Sequence, residues 1–388
     1  MKISILGHGV VGKGVYEMLQ ACPQHEVLTV LVKKGEADPE KKWMVESIDY
    51  VLKDASDLVI ECMGGIEPAF EFTSKCLDAG KSIITSNKAL VAAHGIELMQ
   101  KALSKKLSFL FSAACGGAIP ILQNLYSARQ ADAILCAGGI LNGTTNYMLD
   151  AMDSRALSFE GALAEAKALG YAEADPTADL SGLDTMRKIM LISMVAYDLL
   201  PASGYDLEGI QNVSASDFEF AKKLGCTIRL LGKAGLDEEG RLFAYVEPAL
   251  CSTSSSFAGV KTNTNLAFYV GKNAGYMSFG GQGAGRYPTA SAVLRDVFSV
   301  ENGQKQLLRA SCKVGSAYNA SEACENKYIV RSDLAVEAFL PVEKSLEKKD
   351  NFSYVLTKKI GVKQMHEAVK ALREKGAKVF FAQCEVKL

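Results

Sequence analysis

A short apolar strand that runs straight into GHGVVG within the first twelve residues constrains this chain more than any other feature. Ile3–Leu6 is the strand, and Gly7, Gly9 and Gly12 follow at G-x-G-x-x-G spacing where a helix opens. The first glycine permits the tight turn. The second lets a pyrophosphate approach the backbone, and the helix N–H groups bind its charge. Val10 and Val11 lie inside the same turn and are candidate contacts with the nucleotide. The strand–turn–helix context favours dinucleotide binding over a plain glycine turn.

The second strand bears on the choice of cofactor. Val27–Val32 ends at Lys33–Lys34, with Glu36 only after a glycine. An Asp or Glu at the strand end would hydrogen-bond the ribose of NAD. Two ammonium groups suit the 2′-phosphate of NADP instead. A solvated basic turn accounts for the same residues, so NADP is preferred and NAD is the alternative.

The first 130 residues keep alternating strands and helices. Leu58–Cys62, Ser82–Thr85 and Leu107–Phe111 read as further strands, and Val15–Ala21, Pro68–Ala79 and Gly95–Lys105 as amphipathic helices. Alternation of this kind gives an α/β fold with a parallel, doubly wound sheet. Residues 131–284 change character. Helices Phe159–Leu169 and Ser181–Leu199 stand apart from β-rich Thr227–Lys233, Leu242–Leu250 and Tyr276–Gly280, as in an α+β domain. A Gly-rich stretch then leads into a helix from Pro288 to about Val300, and residues 285–302 are assigned back to the first domain. Residues 303–388 form a small, more charged α+β region. Its expected strands are Tyr328–Val330, Ser353–Leu356 and Val379–Phe381, and its expected helices Ala335–Leu346 (interrupted at Pro341) and Val362–Lys375.

Composition removes several classes of function. A net charge of −1 gives no bulk attraction to nucleic acid or an anionic membrane. No apolar run reaches the roughly 20 residues of a membrane span, and the first residues lack a signal-peptide pattern. The ten cysteines show no C-x-x-C pair and no Cys/His cluster, which suits reduced thiols in a cytoplasmic protein. The four histidines, His8, His25, His94 and His366, are too sparse for His-based metal or triad chemistry.

Residues 166–188 read AKALGYAEADPTADLSGLDTMRK, and this stretch resembles the homoserine dehydrogenase signature without a gap. GGILNGTTNYML (138–149), GQGAGRYPTASAVLRD (281–296) and TSNKAL (85–90) are similar to the same family. The resemblance covers about residues 1–300. It implies a Rossmann-type nucleotide domain with an inserted catalytic and dimerisation domain, a homodimer or higher oligomer, and a small ACT-like C-terminal region. The implied reaction is hydride transfer between L-homoserine and NAD(P)⁺ to give L-aspartate 4-semialdehyde, in threonine, methionine and isoleucine biosynthesis. Residue by residue, the resemblance implies that Glu173 and Asp184 bind substrate and that Lys188 exchanges the hydroxyl proton. It implies that Lys88 lies near the nicotinamide, and that Gly170 and Gly283 contact the cofactor.

The residue types suit that chemistry. Homoserine is a small zwitterion, so its site needs an anion for the ammonium group, donors for the carboxylate and a proton-exchanging group at the hydroxyl. Taken bare, Asp184 and Lys188 at i and i+4 are a solvated helix pair worth about 0.2–0.5 kcal/mol. A free lysine titrates near about 10.4, too high for efficient exchange at neutral pH. Burial and a second ammonium both depress it, so Lys88 and Lys188 are expected to converge on one oxygen.

Two features depart from the family pattern. A strand ending in Glu-Ala-x-Val-x-Gly-Gly is described there as a monovalent cation site, for Na⁺ or K⁺. This chain has FSAACGGAIP (111–120), with Ser112 in place of the Glu. The carbonyls of Cys115, Gly117 and Ile119 remain candidate ligands beside the plain alternative of a buried turn. In the C-terminal region, Asp333–Val336 replaces the Pro-Gly-Val turn of ACT domains. That substitution favours a structural or dimer-contact role over threonine feedback. Two rivals stand beside the homoserine assignment. Aspartate-semialdehyde dehydrogenase would need an activated Cys, such as Cys115, and a partner base. A catalytically silent dinucleotide sensor would have no reason to hold Glu173, Asp184 and Lys188 together.

Overall fold

The computed structural model describes residues 1–201, 205–314, 321 and 324–385. Its contacts separate into two compact units. The first comprises Met1–Ala133, Met194–Leu200 and Gly281–Lys313, and the second Ile134–Ser193, Pro201–Gly280 and Val314–Leu388.

The first unit is built on six parallel strands. Their order is Met44–Val45, Glu26–Leu31, Lys2–Leu6, Leu58–Glu61, Ser82–Thr85, Phe109–Leu110. The two central strands are buried along nearly their whole length, the mark of a parallel sheet covered on both faces. Strand order reverses between Lys2–Leu6 and Leu58–Glu61, so a crevice opens beyond their carboxyl ends. The helix Arg286–Glu301 returns to pack on Val10–Gln20. Gly14 makes that approach possible, because a Cβ there would lie 2.8 Å from Arg286 Cγ and 2.9 Å from Arg286 O. The chain also recrosses this unit at residues 194–200, where Arg129 pairs with Asp198 at 2.8 Å.

The second unit centres on one long, largely antiparallel sheet. In order its strands are Gly275–Gln282, Thr264–Gly271, Ile134–Ile140, Cys226–Leu236, Leu242–Ser252, Val379–Cys384, Tyr328–Ser332, Phe352–Thr357 and Val342–Lys349. Asp206–Leu207 pairs with Leu242–Ser252 off this path. Gly138 and Gly139 let the neighbouring strands close in. A Cβ on either would lie 2.0 Å from a backbone oxygen of Gly232 or Leu266.

The C-terminal strands therefore continue the middle region's sheet, where the sequence suggested a separate small region over 303–388. Val379–Gln383 is buried, and the strand pairs on both sides, antiparallel to Tyr328–Ser332 and parallel to Leu242–Ser252. Asp217, on the helix Ala215–Lys223, ties the two parts further: it pairs ionically with Arg331, Nε 2.9 Å from Oδ1, and accepts from Tyr354 Oη at 3.1 Å. Residues 303–313 belong to the first unit. Part of the expected region, 315–320, 322–323 and 386–388, lies outside the described residues.

One expected helix is replaced. Residues 337–339 form a turn, with Val336 and Leu340 buried, and Val342–Lys349 is a strand. Pro341 lacks the N–H that a helix would require there. The strand returns through Asp350–Asn351, a two-residue hairpin turn with Asp350 at φ +54°.

Candidate active site

Within the first unit, a cavity of 1080 Å³ lies at the topological switch point. Gly7, Gly9, Lys13 and Cys62–Gly64 line it on one side, and Lys33, Lys34 and Lys41 on the other. Each glycine of GHGVVG has a distinct reason. Gly7 holds φ +97°, and a Cβ there would lie 2.9 Å from Cys62 O. On Gly12 a Cβ would lie 2.0 Å from Gly7 O, so the turn closes only without one. Above Gly9 there is open space for 4 Å, room for a ligand to approach the backbone. Gly9 also caps the helix Val10–Gln20, whose first N–H groups face outward. Val10 is 67% exposed at this opening, and Val11 is half-buried.

The basic loop after the second strand is held in shape. Glu46 Oε1 accepts from Gly35 N at 2.9 Å and Ala37 N at 3.2 Å. Lys33 and Lys34 are exposed at the mouth of the cavity, together with Lys13. His8, in the glycine turn, has its pKa lowered by burial and by Lys13 and Lys41.

Lys88 is half-buried at the first position of the helix Lys88–Ser104. Asn87 caps that helix through Oδ1, which accepts from Leu90 N at 3.1 Å. Gly283, also in this unit, is buried, and a Cβ on Gly117 would lie 2.6 Å from its carbonyl carbon.

The segment after Phe109–Leu110 does not suit the cation site of the family pattern. Ile119 O already accepts from Ile121 N at 2.9 Å, and Ala118 O accepts from the Arg295 guanidinium at 2.9 Å. The nearby carboxylate, Asp296, is fully buried and engaged by Ser112 N at 2.8 Å and Gln123 Nε2 at 3.1 Å. A positive group is thus held at Ala118, between two of the three candidate residues Cys115, Gly117 and Ile119. Among the described residues there is no group of three His, Cys, Asp or Glu side chains fit to hold a metal.

In the second unit, four polar side chains meet at the start of two helices. Asn142 caps Gly143–Arg155 through Oδ1, which accepts from Thr145 N. Its Nδ2 donates to Asp179 Oδ1 at 2.7 Å and to Asp184 Oδ2 at 2.9 Å. Lys188 Nζ lies 2.8 Å from Asp184 Oδ2 and also donates to Leu141 O. Asp184 and Lys188 are both more than nine-tenths buried. Burial pushes the Asp179 carboxyl up, and the Asp184 charge adds to the shift.

Glu173 stands apart from this network, exposed in the segment between two helices. Gly170 opens that segment at φ +74°, with no atom within 4 Å of where its Cβ would be. All ten cysteines are free thiols, and Cys115 is buried. Burial pushes the Cys62 thiol, at the cavity wall, up to about 12, which disfavours a thiolate nucleophile there.

Family models bear directly on these sites. Residues 7–112 match the model of the homoserine dehydrogenase NAD-binding domain, and residues 120–298 the model of homoserine dehydrogenase itself. The chain belongs to the homoserine dehydrogenase family. The homoserine dehydrogenase of Corynebacterium glutamicum is 39% identical over 313 residues, which are 76% of this chain and 70% of that protein. That of Bacillus subtilis is 31% identical over 357 residues, 88% of this chain and 81% of the relative. The solved homoserine dehydrogenase of Thiobacillus denitrificans aligns with a TM-score of 0.87 at 28% identity, covering 99% of this chain and 98% of that one.

Asn142 and Asp179 received no site role from the sequence. Both lie inside stretches that resemble homoserine dehydrogenase, but their types pointed elsewhere. Asn142 before Gly-Thr-Thr reads as a helix cap, which it is, and an Asp at a turn is common. Only the fold shows Asn142 joining the two carboxylates.

Proposed function

We propose that the chain catalyses the reversible transfer of a hydride between L-homoserine and a nicotinamide dinucleotide, with L-aspartate 4-semialdehyde as the carbonyl product. One observation carries this: a buried lysine, Lys188, is held by Asp184 inside the uninterrupted family signature. A surface pair at that spacing would be solvated, whereas this one lies more than nine-tenths buried.

The residues divide the work by chemistry. Asp179 and Asp184 form an anionic pair suited to an α-ammonium group, and Asn142 fixes both. Asp184 and Leu141 O orient the Lys188 ammonium, so it can give a proton to the aldehyde oxygen in reduction and take one from the hydroxyl in oxidation. Glu173 is the family-matched carboxylate for substrate, offered from an exposed segment. Lys88 is the family-matched lysine on the cofactor side. The nicotinamide, when bound, supplies or accepts the hydride.

NADP is the favoured cofactor, with NAD as the alternative. Lys33 and Lys34 support this, since they stand exposed at the cavity mouth where NAD enzymes carry a carboxylate. Gly170 and Gly283 are further proposed contacts of the dinucleotide. No step is routed through a monovalent cation: Ser112 stands where the family pattern has its Glu, and the Arg295 guanidinium donates to Ala118 O in the same segment.

A homodimer or higher oligomer is supported by the sheet edge Gly275–Gln282. Tyr276 is 47% and Met277 40% exposed there, an open edge with apolar side chains. The C-terminal strands support an ACT-like reading. In space they run fourth, first, third, second, the order of a ferredoxin-like unit, with its first helix replaced by a turn. A cytoplasmic location is supported by the ten free thiols, and no helix among the described residues is long and apolar enough to cross a membrane.

The test is homoserine-dependent reduction of NADP⁺ and NAD⁺, in phosphate-free buffer and after thiol alkylation. Activity that survives both conditions supports hydride transfer without an acyl-enzyme. Reduction of NADP⁺ by L-aspartate 4-semialdehyde that needs phosphate and dies on alkylation, with none from L-homoserine, supports the thioester rival.

A further inference from the structure

Glu61 is the last residue of the strand Leu58–Glu61 and is fully buried. Its Oε1 accepts from Met63 N at 2.6 Å and more weakly from Asn87 Nδ2 at 3.5 Å. Oε2 accepts from the Thr85 hydroxyl. These partners are all neutral. A buried carboxylate without a cation is costly, so its presence calls for a reason beyond packing.

The donors define what the position requires. Met63 N can only donate. Thr85 Oγ1 already accepts from Asn87 N at 3.0 Å and so turns its proton toward Glu61. Two donors on two oxygens select an ionised acid, the acceptor-only group. A glutamine would present one acceptor and one donor, leaving one contact mismatched.

The two segments so joined are both functional. Cys62, Met63 and Gly64 form the wall of the dinucleotide cavity, and Cys62 O lies against Gly7 of the glycine turn. Thr85–Asn87 is the turn that launches the helix carrying Lys88, with Asn87 as its cap. Asn87 Nδ2 closes the ring by donating to Gly65 O at 2.6 Å. The backbone adds Ser86 N to Glu61 O at 3.1 Å.

We propose that Glu61 is a positioning residue of the reaction, its carboxylate clamping the Cys62–Gly65 loop to the Thr85–Asn87 turn and so setting Lys88 against the wall of the dinucleotide cavity. This rests on the hydride-transfer reading of the site. The clamp holds when Glu61 is ionised. Burial, opposed by its neutral hydrogen bonds, pushes Glu61 up to about 7, and the neighbouring titratable group, Cys62, stays protonated with its thiol at about 12. Protonation adds a hydrogen that meets donors on both sides, so the clamp loosens on the acid side of neutrality.

The experiment compares the whole wild-type chain with Glu61→Gln and Thr85→Val, measuring kcat and KM for homoserine and for NADP⁺ between pH 6 and 9, with melting temperatures. Misplacing a reacting group by about 1 Å costs roughly 10²-fold, so Glu61→Gln is expected to lower kcat by about 10- to 100-fold. It should leave the KM for homoserine within about threefold and erase the acid limb near neutral pH. Thr85→Val removes the hydroxyl donor and should lower kcat in the same sense, which keeps the test decisive if Glu61→Gln does not fold. A folded Glu61→Gln with wild-type kcat and an unchanged acid limb overturns the proposal, as does Thr85→Val at wild-type kcat when Glu61→Gln is lost to unfolding. Absence of homoserine oxidation in the wild type would instead sink the underlying functional reading.

Discussion

Lys188 and Asp184 lie one helical turn apart with Nζ 2.8 Å from Oδ2, and Asn142 holds the same Oδ2 from a separate helix start at 2.9 Å. A bare i, i+4 pair leaves both groups free to exchange partners with water. Here the carboxylate oxygen is shared by an ammonium and an amide, away from solvent. Asp184 and Leu141 O fix the Lys188 ammonium in place, as the proposed proton exchange requires.

Asp184→Asn separates this arrangement from a surface ion pair. Removing one partner of a buried pair leaves the other charge uncompensated, at a cost on the order of 3 kcal/mol. Denaturant unfolding should show a loss of that size and turnover should fall steeply. A change below about 0.5 kcal/mol would place the pair among solvated helix contacts.

Lys33 and Lys34 carry the proposed preference for NADP. The double substitution Lys33→Ala/Lys34→Ala should raise the KM for NADP⁺ by about tenfold or more, since each charge-assisted phosphate contact is worth about 1.5–3 kcal/mol. The KM for NAD⁺ should move little. Added salt should weaken NADP⁺ binding in the wild type more than in the variant. Equal effects on both cofactors would remove these residues from the choice.

Two buried carboxyls give the first unit a defined pH response. Burial raises Glu61 to about 7 and Asp296 to about 6. A carboxyl raised on folding contributes stability that is complete below its unfolded pKa and is lost as pH rises through its folded value. Both groups therefore lower stability between about pH 4 and 7. Asp296→Asn should flatten its part of that decline, so the melting temperature of the variant gains on the wild type as pH rises from about 4 to 6 and the difference holds above that. An unchanged difference across that range would mean Asp296 titrates normally. Asp54 acts in the opposite sense. Although burial alone would raise it, hydrogen bonds from Ser4, Ser56, Thr29 and Lys81 hold it down at about 2, so its contribution is lost only as pH falls through that value.

The Arg295 guanidinium at Ala118 O predicts indifference to monovalent cations. Replacing Na⁺ and K⁺ by a bulky organic cation at constant ionic strength should leave kcat within about twofold, the range left by general salt screening. A specific loss, restored by one alkali ion, would reinstate a cation at Cys115, Gly117 and Ile119.

Much of this was legible from local pattern. The glycines of GHGVVG were readable because their demands are local: a positive φ at Gly7, a 2.0 Å approach at Gly12 and open space at Gly9. The parallel strands were readable as apolar runs separated by helices. Strand Met44–Val45 was not, since two residues carry no periodicity. The strand Val342–Lys349 was mistaken for helix because its charged residues fall at neither period cleanly, and its pairing with Phe352–Thr357 shifts register twice. Asp179 and Asn142 acquire their role from contacts 37 and 42 residues apart in the chain, which no local pattern encodes. Glu61 escaped for a related reason: its burial depends on the strands beside it and on the turn at Thr85.

Reduced nicotinamide formed from L-homoserine, compared between the wild type and Lys188→Ala, tests the central claim most directly. Steady turnover by the wild type is expected, with a variant that folds normally and still binds NADPH but loses about 10²- to 10⁴-fold in kcat, the share of a general acid–base group. A well-folded Lys188→Ala protein oxidising homoserine at close to the wild-type rate would contradict it.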